Sequence, residues 1–251
     1  METVVRSYNR HMRLTSLVFA LGCAAATLFA AEEFQTSAGI VKITPITHAS
    51  LMIEAGGKVI HLDPFSQGTQ ARYAALPKAD LLLITDFHPD HMDTTAIGWV
   101  KKPGTKIIAP FVVTSGLKTG DAMKNGETRT WGPFTIEAVP MYNMKHGPKP
   151  GMFYHDKGRG NGYVLTYGGK RFYFSGDTEA IPEMKTLKNI DVAFVCMNLP
   201  YTMSPEEAAE GVKAFAPKIV YPYHYRGSDL KLFEAALKGQ PIEVRILDWY
   251  K

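Results

Sequence analysis

Thirteen residues, LLLITDFHPDHMD from Leu81 to Asp93, set the tightest limit on how this chain folds. Leu81, Leu82, Leu83 and Ile84 leave no polar face, so a strand there has to be covered on both sides. The same strand runs straight into Asp86, His88, Asp90, His91 and Asp93. A polar loop with helix-capping aspartates accounts for that cluster; so does a metal site. The rest of the chain decides between them.

Short strand-like runs surround the segment. IVKITPI (40–46), SLMIEA (50–55) and KVIHLD (58–63) alternate in part, and Gly56-Gly57 joins the last two as a hairpin. KIIAP, PFTIEAVP, GYVLTYGGKRFYFSGD and DVAFVCMN follow, the third folding back at Gly168-Gly169. Helical patterns lie between and after them. DTTAIGWVKK opens on Asp93 as an N-cap, and SPEEAAEGVKAFA carries Ser204, Pro205 and Glu207 in capping-box order. A last helix, SDLKLFEAALKG, is expected to end at Gly239. With 251 residues, 45% of them hydrophobic, and no short-period repeat, the chain reads as one layered α/β domain over residues 31–251.

Residues 1–30 read differently. Arg6, Arg10 and Arg13 precede LTSLVFALGCAAATLFA, an apolar run of signal-peptide length that gives way to EEF after Ala30-Ala31. The expectation is export to the periplasm or medium, cleavage near Ala30, and no stable membrane span afterwards; Met12 is a second possible start. ALGC at 20–23 is a weaker match to a lipoprotein box that would anchor the chain at Cys23. Cleavage lowers the formal charge from +4 to +2, leaving no argument for a nucleic-acid partner. Only Cys196 then remains, so no internal disulfide forms.

Beyond the leader the histidines are His48, His61, His88, His91, His146, His155 and His224. His88, Asp90 and His91 follow LLLIT, Asp177 ends RFYFSGD, and His224 ends KIVYPYH. Strand ends from distant segments converge on one edge of a sheet, so three segments can supply one cluster. Imidazole and carboxylate suit Zn, Mn or Fe. Asp86 and His88 project the same way in extended chain, while Asp90 and His91 can face a second ion across a turn. The local count points to two divalent ions, which sharing a water or hydroxide generate a nucleophile at neutral pH.

TDFHPDH resembles the metallo-β-lactamase superfamily motif T-H-x-H-x-D-H. FSGDT (174–178) is similar to its G-D-T element, and PYHY (222–225) to its final metal histidine. THASLMIEAGGKVIHLDPF (47–65) resembles the opening of the branch holding ascorbate-6-phosphate lactonase and N-acyl-phosphatidylethanolamine phospholipase D. The resemblance runs in order from about Ile40 to the C-terminus. It implies a four-layer αββα sandwich with a two-metal site at one edge. By position, His88 would bind the first metal, Asp90 and His91 the second, Asp177 both, and His224 the second; Asp90 would also orient the attacking water or take its proton. The pattern is broken at Asp86, where the first motif histidine usually stands; a carboxylate there moves preference from Zn toward Mn or Fe.

The remaining first-metal ligand falls in YNMKHGPKPGMFYHDKGRGN, where His146 and His155 compete. The resemblance favours His155, leaving His146 as a substrate-loop or solvated residue. His48 and Asp63 are expected beside the metals, or as bonds joining the first strands. His61 reads as structural, Cys196 as packing, and Tyr201, Met203 and Arg226 as cleft-lining or surface residues. The expected function is metal-dependent hydrolysis of a small-molecule ester, lactone or other carboxylic ester. A phosphodiester is the alternative, given Lys145, Lys149, Lys157, Arg159 and Arg226; a non-catalytic metal- or ligand-binding protein is the second. β-Lactam hydrolysis has no separate signal.

Overall fold

The computed structural model describes Met1 and residues 31–250, so the expected leader and its cleavage site lie outside the described residues. The described residues form two seven-stranded sheets, each filled in sequence order. The first takes β1 (Glu32–Thr36), β2 (Gly39–Thr47), β3 (Ser50–Ala55), β4 (Lys58–Leu62), β5 (Leu81–Leu83), β6 (Lys106–Ala109) and β7 (Asp121–Ala122). The second takes β8 (Thr128–Trp131), β9 (Phe134–Met141), β10 (Gly160–Tyr167), β11 (Lys170–Phe174), β12 (Val192–Cys196), β13 (Ile219–Tyr223) and β14 (Glu243–Val244).

The halves repeat one scheme: four antiparallel strands, then parallel ones. β1 to β4 pair antiparallel and β4 to β7 parallel. Likewise β8 to β11 pair antiparallel and β11 to β14 parallel. Parallel neighbours need a crossover, and helices supply several of them. α1 (Gln70–Ala74), α2 (Thr94–Val100) and α3 (Phe111–Leu117) belong to the first half; α4 (Pro182–Lys185), α5 (Pro205–Phe215) and α6 (Leu230–Leu237) belong to the second. This is the αββα sandwich.

The LLLI run explains itself in the core. Leu81 and Leu83 join the cluster shared by both sheets, while Leu82 and Ile84 join a second cluster with Ala96, Ile97 and Val100 of α2. Alternate side chains of one strand therefore enter two different apolar layers. Strand pairing stops at Leu83, earlier than LLLIT suggests, because the Thr85 N–H turns to Asp63 Oδ1 and its carbonyl accepts from Asn161. Asp93 caps α2 through the N–H groups of Thr95 and Ala96, and the Ser204–Glu207 capping box closes on α5. α6 ends at Leu237, and Gly239, at φ +82°, redirects the chain. Among the described residues no helix is long and apolar enough to cross a membrane.

Candidate metal centre

Every residue of the candidate centre stands just past a strand or in a connecting loop. Asp86, His88, Asp90 and His91 follow β5, His155 lies between β9 and β10, Asp177 follows β11, and His224 follows β13. A tight turn, in which the N–H groups of His91 and Met92 reach the His88 carbonyl, sends the β5 loop back on itself. Asp86 and His88 thus face one position, Asp90 and His91 another.

Two groups of ligand atoms result. Asp86, His88 and His155 form one, Asp90, His91, Asp177 and His224 the other, with atoms inside each within 4.8 Å of one another. In the first, His88 Nδ1 is 3.0 Å and His155 Nε2 3.8 Å from Asp86 Oδ2. In the second, His224 Nε2 lies 3.4 Å from both Asp90 Oδ2 and Asp177 Oδ1. Asp177 joins them: its Oδ2 is 3.3 Å from His91 Nε2 and 3.4 Å from His155 Nε2.

The protein leaves the inward atoms of this set unsatisfied. Asp86 Oδ1, Asp177 Oδ1 and the Nε2 atoms of His91, His155 and His224 are buried without a hydrogen-bond partner. Buried polar atoms normally have partners, so five orphans distributed over both ligand groups fit bound divalent cations. His155, and not His146, completes the first group.

Electrostatics agree. Burial opposes charge on Asp177 and Asp90, yet His224 and His91 hold Asp177, and His91, His224 and His48 hold Asp90, well below the usual carboxylate range. Burial likewise opposes protonation of His91, but Asp177, Asp90 and Asp63 raise it well above the ordinary imidazole value. The site asks for positive charge, which metal ions supply in place of protons.

A surrounding set of bonds fixes the rings. Asp63 Oδ2 lies 2.8 Å from His91 Nδ1 and accepts from Thr85 Oγ1. Asn143 Oδ1 accepts from the His155 N–H and from its Nδ1, so both histidines present Nε2 inward. His48 bonds Asp90 Oδ2 through Nε2 at 3.0 Å and Tyr250 Oη through Nδ1 at 3.0 Å. Burial, with His224 beside it, lowers His48 to about 4, so the ring is neutral. Of the six non-glycine residues with positive φ among the described residues, three meet here, His48, Asp63 and His224, at 55°, 41° and 47°. Left-handed backbone at such residues is held by its surroundings and clusters at working sites; the His224 N–H donates to the His48 carbonyl.

The centre floors a cleft of about 460 Å³ lined by Phe65, Pro89, Tyr154, Asn198, Tyr201 and Arg226, among others. Arg226 and Tyr201 are cleft residues. Met203 is buried core, as is Cys196. His146 does not line the cleft: its ring lies 3.3 Å from Glu207 Oε2 on α5, a carboxylate that holds it away. His61, buried in β4, bonds the Pro77 carbonyl. Three contributors escaped the sequence pattern, Asn143, Tyr250 and Glu179, while Arg159, read there as a cation for an anionic substrate, is instead paired with Asp86. Glu179 is buried and accepts from the N–H groups of Lys145 and His146 and from the Asn143 amide. Its place two residues after Asp177 was the one available hint.

Known proteins settle the lineage. The family described as "Beta-lactamase superfamily domain" matches residues 42–224. The chain belongs to that superfamily. A UPF0173 metal-dependent hydrolase of Thermococcus onnurineus is 32% identical over 83% of this chain and 96% of its own. A second, from a Geobacillus species, is 34% identical over 74% of this chain and 85% of its own. A crystal structure from Parabacteroides distasonis, named a candidate metal-dependent hydrolase, superposes with a TM-score of 0.83 at 44% identity, covering 88% of this chain and all of that one.

Within the superfamily's motif, Asp86 is the departure, and its surroundings answer the charge it adds. Arg159 Nη2 lies 3.2 Å from Asp86 Oδ2 and also donates to the Tyr154 carbonyl. Burial disfavours the Asp86 carboxylate, but His88 and Arg159 hold it ionised. An aspartate paired with an arginine restores the net charge that a neutral histidine would have.

Proposed function

We propose that this chain is an exported two-metal hydrolase of carboxylic esters, lactones included. The observation that carries the reading is the set of orphaned buried atoms disposed around both oxygens of Asp177. Bound there, two divalent ions would acidify water and polarise a carbonyl. The chain's own residues do the rest. Asp90, kept ionised by its histidine neighbours and steered by His48, orients the attacking water and takes its proton. Asn143 and Asp63 keep His155 and His91 turned inward. Phe65, Pro89, Tyr154 and Tyr201 offer largely apolar surface to the acyl or alkyl part of a substrate. Asp86 brings a second hard donor to the first position, which favours Mn or Fe over Zn there.

A carboxylic ester suits this cleft better than a phosphodiester. Lys145 lies 3.4 Å from Glu207, Lys157 2.8 Å from Glu183, and Arg159 is engaged by Asp86 and Asp156. These three are committed to carboxylates, and Lys149 does not line the cleft, so the loop does not reinforce an anion at the metals. Assays of protein reconstituted with Zn, Mn or Fe, using p-nitrophenyl acetate, γ-butyrolactone and bis-p-nitrophenyl phosphate, test the reading. Metal-dependent turnover of either carboxylic ester supports it; turnover of the phosphodiester alone overturns it. Export rests on the arginines and apolar run before Ala31, and N-terminal sequencing of the protein from cell fractions checks it.

A further inference from the structure

Gln67 and Arg226 belong to the walls of two cavities at once. One is the cleft over the metal centre. The other, of about 520 Å³, is bounded by Thr47, Thr69, Arg72 and Tyr250 in addition to that shared pair. This second compartment therefore adjoins the cleft at the hydrogen-bonded Gln67–Arg226 pair.

Arg226 is the cation positioned to receive a ligand there. Lys145, Lys157 and Arg159 are paired with carboxylates, Lys149 lines neither cavity, and Arg72 already donates to the Ile46 carbonyl. Arg226 forms no ion pair among the described residues; its guanidinium bonds the neutral Gln67 amide oxygen at 3.3 Å and lies 5.4 Å from the centre of the Tyr250 ring. An exposed guanidinium propped on an aromatic ring, with one neutral partner that can be displaced, presents its planar fork to an anion. One such charge matches a carboxylate better than the near-dianion of a phosphate.

The compartment is also tied to the reacting end. Tyr250 Oη accepts from the Arg226 backbone N–H at 3.0 Å and bonds His48 Nδ1, while His48 Nε2 bonds Asp90. The wall that carries the cation and the carboxylate proposed to handle the proton thus share one frame.

We propose that the second compartment is a carboxylate subsite: the substrate is an ester or lactone bearing a free carboxylate, which Arg226 holds at a distance from the bond that is cleaved. This rests on the ester-hydrolase reading above. The test compares metal-reconstituted wild type, Arg226→Gln, Arg226→Lys and Gln67→Glu on p-nitrophenyl acetate and on the mono-p-nitrophenyl ester of succinate. Wild type should favour the succinate ester, and Arg226→Gln should lower that preference about tenfold, mainly through KM. Arg226→Lys, which keeps the charge and loses the fork, should recover part of it. Gln67→Glu should block the site with its own carboxylate. No preference in wild type, or an equal preference in Arg226→Gln, overturns the subsite while leaving the hydrolase standing. If wild type cleaves neither ester, the hydrolase reading is decided by the lactone and phosphodiester assays above, and calorimetry decides the subsite. Succinate binding lost in Arg226→Gln supports it; no succinate binding, or tighter binding of inorganic phosphate, overturns it.

Discussion

Oδ2 of Asp177 stands 3.3 Å from His91 Nε2 and 3.4 Å from His155 Nε2, so one carboxylate oxygen faces both ligand groups. No other side chain among those described contacts histidines of both groups in this way. Asp177→Ala should therefore lower bound metal from near two ions per chain to one or fewer, by elemental mass spectrometry of the reconstituted protein. An unchanged content of two would mean that each group holds its ion independently.

Metal should also stabilise the fold. Metal-free protein keeps five buried atoms of the candidate centre without partners, whereas ions bind only the folded arrangement. At a hundredfold excess over Kd, a single site adds about 2.7 kcal/mol. Calorimetric scans with and without EDTA should show a drop of several degrees in Tm on metal removal, and a smaller drop in Asp177→Ala. Equal Tm values in wild type would refute preorganised metal binding.

Asp86 and Arg159 should behave as a coupled pair. Arg159 has only 19% of its side chain exposed, and its Nη2 lies 3.2 Å from Asp86 Oδ2. Asp86→His alone leaves this mostly buried guanidinium only the exposed Asp156 at 3.5 Å; Asp86→His with Arg159→Leu removes both charges. The double-mutant cycle on metal-free protein should give a coupling of about 1–3 kcal/mol in denaturant unfolding. The single variant should also shift preference from Mn or Fe toward Zn. Additive destabilisation would show that Arg159 does not answer the charge of Asp86.

How far the sequence reaches is visible at this pair. Asp86, His88, Asp90 and His91 lie in one short run after an apolar strand, and Asp177 and His224 each end a strand pattern, so order along the chain carries them. The apolar run without a polar face required only a strand covered on both sides; the αββα sandwich itself was legible through the resemblance to the superfamily's motifs, taken in order along the chain. Arg159 lies 73 residues from Asp86, and Tyr250 202 residues from His48. Such partners sit in loops with no periodicity, and only tertiary contact selects them from other basic or aromatic residues. His146 shows the converse. Its spacing fitted the ligand loop as well as that of His155, and a carboxylate on α5 drew it away.

Glu179 should matter more than its distance from any ligand atom suggests. It is buried and accepts from two backbone N–H groups and from Asn143, which in turn fixes His155. Glu179→Ala leaves those donors unsatisfied and should cost about 2–4 kcal/mol of stability. It should also weaken the first metal site more than the second, because His155 belongs to the first. Stepwise Co(II) titration followed by visible absorption separates the two; equal weakening at both positions would assign Glu179 a general structural role.

His61 supplies the pH test, away from the metals. It is fully buried in β4, its Nε2 bonds the Pro77 carbonyl, and its Nδ1 has no partner. Burial lowers its value from 6.5 to about 4. Because the folded value lies below the unfolded one, the unfolded chain binds the proton more tightly. The neutral ring's contribution is complete above about pH 6.5 and is lost as pH falls toward 4, by about 3 kcal/mol in total. His61→Met removes the titration along with one hydrogen bond, so it should be less stable than wild type at pH 7.5 by about 1 kcal/mol. Between pH 6.5 and 4.5 its stability should fall less steeply, and the two curves should converge or cross. Parallel curves from urea unfolding of the metal-free proteins across that window would show that another group carries the acid sensitivity.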